Sequence, residues 1–240
     1  MVVVAIVLLT ALAWRWTLTG AGLRGSEMAG MTAGKAPGLP LLLAMWWVMM
    51  VAMMLPSAAP AILLYGRVRA GRGAAARAGG SWLFLSGYLV AWLAVSLVAT
   101  IGQLLATRAG MIDGMTMRTT SPVLGGAMLI AAGLYQLSPA KTLCLVNCRS
   151  PASFLSRHWR PGASGALRLG LLHGGYCIGC CWLLMALLFV GGIMDLAWIA
   201  GLAVLVAVEK LVRFGPRIGR IAGALLIVAG AAMLARSGPV

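Results

Sequence analysis

Residues 41–65 read LLLAMWWVMMVAMMLPSAAPAILLY, a run without a single charged side chain. As a helix rising about 1.5 Å per residue it would reach roughly 37 Å, more than the ~30 Å hydrocarbon core of a bilayer. No soluble domain needs such a segment. The rest of the chain extends the same reading, with 62% hydrophobic and only 10% charged residues among 240 and a mean hydropathy of +0.98. Soluble domains run near half apolar and a quarter charged. The composition therefore predicts an all-α, polytopic transmembrane helical bundle, with lipid solvating most of its apolar surface.

Seven hydrophobic segments are long enough to be read as spans, at about 2–18, 39–64, 82–105, 123–138, 167–190, 194–213 and 217–235. The first, VVVAIVLLTALAW, lacks the basic flank of a secretory signal and is read as a retained helix. The chain is taken as one helical domain over residues 1–240, without a strong internal repeat. Its longest connector, 139–166, is of a length that is often functional.

The net charge of +15 would suggest a nucleic-acid partner in a soluble chain. Here the basic residues form no stripe interleaved with aromatics, and nucleic acid is not expected. With a cytoplasmic N-terminus, 13 Lys and Arg fall in inner connectors and 6 on the outer side. That is the asymmetry of the positive-inside rule. The expected location is the bacterial inner (cytoplasmic) membrane, with the N-terminus in and the C-terminus out.

The chemistry concentrates in residues 173–185, HGGYCIGCCWLLM. On a helix His173, Cys177 and Cys180 fall within about 60° of one another, with Cys181 about 40° beyond Cys177. Gly175 and Gly179 form a small-xxx-small pair on the other face, where a neighbouring helix is expected. Any one cysteine could be a small core hydrophobe. A histidine and three cysteines on one intramembrane stripe point instead to a site.

The second span adds thioethers. Met45, Met49 and Met53 make one row and Met50 and Met54 another. Such stripes often serve as core filler, but thioether and thiolate together suit Cu(I). Pro56 is expected to kink this helix beside Met53 and Met54. In the sixth span Glu209 either pairs with Arg213 one turn on or serves His173 as orienting partner, ligand or proton acceptor. Lys210 is expected to snorkel to the interface. Cys144 and Cys148, in KTLCLVNCRSP, share a helix face and could form an access site or the second half of one site. Lys141 and Arg149 flank them.

The elements AMMLPS (52–57), QLSPAKTLCLVNCRSP (136–151), YCIGCCWLLM (176–185) and EK (209–210) resemble those of an uncharacterised bacterial family. That family is described as predicted metal-binding integral membrane proteins with a domain of unknown function. The resemblance covers about residues 40–215 and implies metal binding, without naming the metal.

Two functions compete. The first is binding, transport or handling of a soft metal, copper before zinc, by His173, Cys177, Cys180, Cys181, Cys144, Cys148, Met53, Met54 and Glu209. Its partners would be the bilayer, the ion, and a metal chaperone or partner membrane protein. The second is a thiol–disulfide relay through the Cys177/Cys180 and Cys144/Cys148 pairs. Against the relay, neither expected outer loop carries a cysteine. The chain has no nucleotide-binding GxxxxGK[ST] motif and no nucleophile elbow, so an ATP-driven pump and a conventional hydrolase are not expected.

The charge asymmetry sets the first test. Reporter fusions after Gly80 and after Arg160 should score cytoplasmic and one after Asp113 periplasmic; the reverse pattern would invert the orientation.

Overall fold

Polar backbone groups cannot be left open in hydrocarbon, and the computed structural model answers that constraint with helices. It describes residues 2–19, 38–69, 74–113 and 117–237. Arg24, Lys35 and Arg72, which enter the charge count, lie outside the described residues. The helices are α1 (Val2–Leu18), α2 (Leu39–Val68), α3 (Ala74–Arg108), α4 (Pro122–Leu137), α5 (Pro139–Arg149), α6 (Pro151–His158), α7 (Gly162–Ala186), α8 (Leu188–Gly191), α9 (Leu196–Leu211) and α10 (Gly215–Arg236). Among the described residues the only extended pairing is an isolated bridge between Ile112 and Thr119.

Each of the seven segments read from the sequence is helical, but not all are full spans. Four stretches are long and apolar enough to cross a membrane: Leu39–Val68, Gly79–Arg108, Gly162–Gly191 and Gly215–Arg236. A fifth arises if α4 and α5, bent by 63°, count together. α1 has 17 residues and α9 has 16, about 25 Å of helix each and short of a full hydrocarbon core. The seven-span count is therefore approximate.

Local chemistry explains several boundaries. Ser121, Ser138 and Asp195 accept hydrogen bonds from the third residue after them and so cap α4, α5 and α9. Proline follows at once in two of these, as Pro122 and Pro139, where its missing N–H costs nothing. The Ser138–Pro139 step, with Ser138 extended at φ −74° and ψ 148°, is what breaks α4 from α5.

α2 runs unbroken through Pro56 and Pro60. Pro56 frees the carbonyl of Ala52, and the indole N–H of Trp14 in α1 takes it at 3.0 Å. The expected disruption beside Met53 and Met54 is thus absorbed by a neighbouring helix.

α3 packs along α7, α4 along α10, and α2 against α1 and α3. The faces touch where glycine allows it. A Cβ on Gly170 would strike the Phe84 carbonyl, and one on Gly87 would strike that of Leu167. Of the Gly175/Gly179 face expected from sequence, only Gly179 meets a neighbouring helix, and that helix is α5 rather than α3. A Cβ on Gly175 would meet nothing within 4 Å, and Gly179 lies against the sulfur of Cys144. The reason is rotational, since it is Gly170 and Gly174, one helical turn apart, that face α3. On the lipid side α10 exposes Ile221, Leu225 and Val228, an apolar face suited to hydrocarbon.

This register makes a paired prediction. Gly170→Ala should destabilise the protein by roughly 1–3 kcal/mol through overpacking, because its neighbour is backbone and cannot move aside. Gly175→Ala should be neutral or stabilise by about 0.5–1 kcal/mol through helix propensity. Thermal unfolding in detergent checks both, and equal effects would contradict this packing.

Candidate metal centre

A buried stripe of α7 consisting of His173, Cys177, Cys180 and Cys181 faces the interior, each residue at most 2% exposed. The three cysteine sulfurs meet groups from four other helices. Lys210 of α9 donates to Cys177 Sγ at 2.8 Å, and its Nζ also lies 3.4 Å from Ser57 Oγ of α2. Tyr88 of α3 places its hydroxyl 3.2 Å from Cys177 Sγ and 3.2 Å from the Met54 carbonyl. The thiols of Cys180 and Cys181 donate to the Cys177 carbonyl at 3.1 and 2.9 Å. Cys181 Sγ is also 3.8 Å from Met54 Sδ.

The Cys144/Cys148 pair joins this group. The helix that carries them, α5, packs on α7, and Cys144 Sγ lies against Gly179. The 63° bend between α4 and α5 turns α5 back across α7. All five cysteines are free thiols.

His173 stacks among Phe154 at 5.2 Å, Phe84 at 5.9 Å and Tyr88 at 6.0 Å between ring centroids. Its buried Nδ1 has no hydrogen-bond partner among the described residues. A buried nitrogen without a partner is rare enough to require an explanation. Met53 and Met54 are both buried, and of the two it is Met54 whose sulfur approaches a cysteine.

Glu209 stands apart from the sulfurs. Its carboxylate takes Lys141 Nζ at 2.5 Å and Gln136 Nε2 at 2.5 Å. Lys141 also donates to Gln136 Oε1. The pairing with Arg213 read from the sequence gives way to this buried one, because the bend of α5 brings Lys141 to α9. Arg149 donates to the carbonyls of Glu209, Val212 and Arg213 and closes the C-terminal end of α9. These groups border a cavity of about 480 Å³ that Arg220 and Thr142 also line.

Sequence reasoning missed Lys210 as part of the site. It does not snorkel; it is 5% exposed and points at Cys177. A signal existed, since Ile199, Ala203, Val206 and Lys210 follow the buried spacing of α9. Tyr88 and Ser57 carried no comparable sequence mark.

Among the described residues, no group of three or more His, Cys, Asp or Glu side chains stands in metal-holding geometry. The arrangement is a cluster of soft donors whose hydrogen-bonding capacity is spent on one another, on Lys210 and on Tyr88. Chemically it can offer sulfur to a soft cation or exchange one S–H partner for another. The profile of the PpoB2 family, described as copper chaperone, matches residues 43–233. No curated protein and no solved structure matches the chain.

The Glu209 geometry is testable by charge removal. Glu209→Gln leaves Lys141 buried without its counter-charge and should cost about 3–5 kcal/mol of stability, whereas the double variant Lys141→Leu, Glu209→Leu should recover most of it. Thermal unfolding of the three proteins measures this. Full stability of Glu209→Gln would show that the ion pair does not hold α5 to α9.

Proposed function

The chain belongs to the PpoB2 copper chaperone family, and from that premise we propose that it holds Cu(I) within the helical bundle through Cys177, Cys180 and Cys148. Met54 and Cys181 flank these ligands, and the ion is passed on to a partner. The observation that carries this reading is the packing of α5, with Cys144 against Gly179, on the helix that bears the buried α7 cysteines.

The donor set suits the ion. Thiolate and thioether favour Cu(I), whereas Ca²⁺ and Mg²⁺ need oxygen ligands that the cluster lacks. Zinc is the competitor, but it usually takes four ligands in closed tetrahedral sites. Cu(I) is satisfied by about two or three soft donors.

Charge supports the same assignment. A net charge in a low-dielectric bundle is costly. Two thiolates and one protonated cysteine around one Cu(I) leave a single negative charge, and Lys210 at 2.8 Å from Cys177 cancels it. The unpaired Nδ1 of His173 offers a further neutral donor beside Cys177. Cys144 and Met53 lie at the margin of this group, and Glu209, held by Lys141, serves position rather than ligation. The chemistry asked of the chain is ligand exchange at an ion, so no enzymatic step is invoked.

The relay keeps one supporting observation. Lys210 beside Cys177 is the type of neighbour that activates a thiol for exchange. The thioether separates the two readings. Met54→Leu should weaken Cu(I) binding by more than the ~1.5 kcal/mol that a volume-conserving swap costs in packing, while Met53→Leu should not. Cys177→Ser with Cys180→Ser should abolish binding. A Cu(I) competition titration on the full chain in detergent, with elemental analysis of the purified protein, reads all three. Unchanged copper content in the cysteine double variant would sink the site. Thiol exchange with no copper bound by the wild type would favour the relay.

A further inference from the structure

A sulfur cluster this deep needs a way for its ion to arrive and leave. The chain has two histidines, and both pack on the same phenylalanine. The ring centroids of His158 and His173 lie 5.0 and 5.2 Å from that of Phe154. Phe154 is wholly buried and His173 is 2% exposed, whereas His158, the last residue of α6, is half-buried. His158, Phe154 and His173 therefore run inward from the surface. Cys177 follows one helical turn beyond His173.

His158 is prepared to receive a metal. Its Nδ1 lies 3.0 Å from the Phe154 carbonyl. A carbonyl only accepts, so Nδ1 carries the proton and Nε2 keeps its lone pair. Metal-ligating histidines are commonly oriented by this type of bond. At the other end, His173 Nδ1 is buried with no partner among the described residues.

We infer that His158 and His173 form a stepwise path by which Cu(I) exchanges between the surface and the thiol cluster, with the Phe154 ring as the barrier between them. This rests on the copper reading above. Each step is a ligand exchange without oxidation or reduction. The carrier ligand that delivers Cu(I) leaves as His158 Nε2 binds; His173 then replaces His158, and Cys177 Sγ replaces or joins His173. The ion keeps its single positive charge throughout. A cavity also lies beside Glu209. Its lining includes Lys141, Arg149 and Arg220 and no sulfur or imidazole, so it repels a soft cation and offers it no ligand.

The test is stopped-flow transfer of Cu(I) between a coloured bidentate chelator and the full chain in detergent. His158→Ala should slow transfer in both directions by about tenfold, the lower end of what loss of a supporting metal contact costs, with equilibrium affinity kept within about twofold, since the stable ligands lie deeper. His158→Met, which supplies a soft sulfur, should restore the rate. His158→Phe, which preserves ring packing on Phe154 and Tyr176, should not. Full-rate transfer by His158→Phe would overturn the path while leaving the copper site in place. No copper uptake by the wild type would overturn both.

Discussion

The contact between Lys210 and Cys177 organises the centre of the molecule. An ammonium group inside an apolar bundle is expensive unless it meets a polar or anionic partner. Here its partners come from two other helices, Cys177 on α7 and Ser57 on α2. Tyr88 of α3 approaches the same sulfur. Four helices must therefore converge on one point, and close packing of α3 on α7 follows from that demand. Gly170 and Gly87 meet it by letting backbone lie against backbone. The adjacent residue, Glu209, sends its carboxylate to Lys141 of α5. α9 thus divides two charged neighbourhoods, one facing sulfur and one facing the cavity.

The second neighbourhood explains how α5, with Cys144 and Cys148, comes to pack on α7. α5 is joined to α4 only through the capped Ser138–Pro139 step, across a 63° bend. A short helix attached at an angle has little to fix it except its contacts. Lys141, 3% exposed and paired with Glu209 and Gln136, supplies that fixing near its start. Arg149 does so near its end by binding the carbonyls of Glu209 in α9 and of Val212 and Arg213 just past it. Both anchors lie on the segment that carries the two cysteines, so electrostatics on α5 positions the sulfur chemistry on α7.

Much of this was legible in the sequence, for identifiable reasons. The run 41–65 could only be a long apolar helix, and all seven hydrophobic segments are helical. The stripe of His173, Cys177 and Cys180 was readable because helical period is local, and all are buried together. What local period could not supply was the rotation of one helix against another. Gly175 and Gly179 looked like a packing face, yet α3 lies on Gly170 and Gly174. Lys210 looked like an interfacial residue because lysine near a helix end usually snorkels. The spacing of α9 puts Lys210 on the buried face, but its partners, Ser57 on α2 and Cys177 on α7, are not encoded there. Tyr88 joined the site for the same reason.

The state of the thiols bears on why such a cluster would suit a chaperone rather than a permanent metal centre. Cys180 and Cys181 donate to the Cys177 carbonyl, and Cys177 is held by Lys210 and Tyr88. On the proposed reading copper would bind by displacing some of these contacts, each worth about 0.5–1.5 kcal/mol. Removing the ion lets the same contacts re-form. The opposing terms lower the net affinity below that of a rigid thiolate cage and keep the emptied cluster from leaving its polar groups unsatisfied. A donor set that is stable both with and without its ion has a smaller difference between the two states. A smaller difference is what permits the ion to move onward to a partner with only slightly stronger ligands.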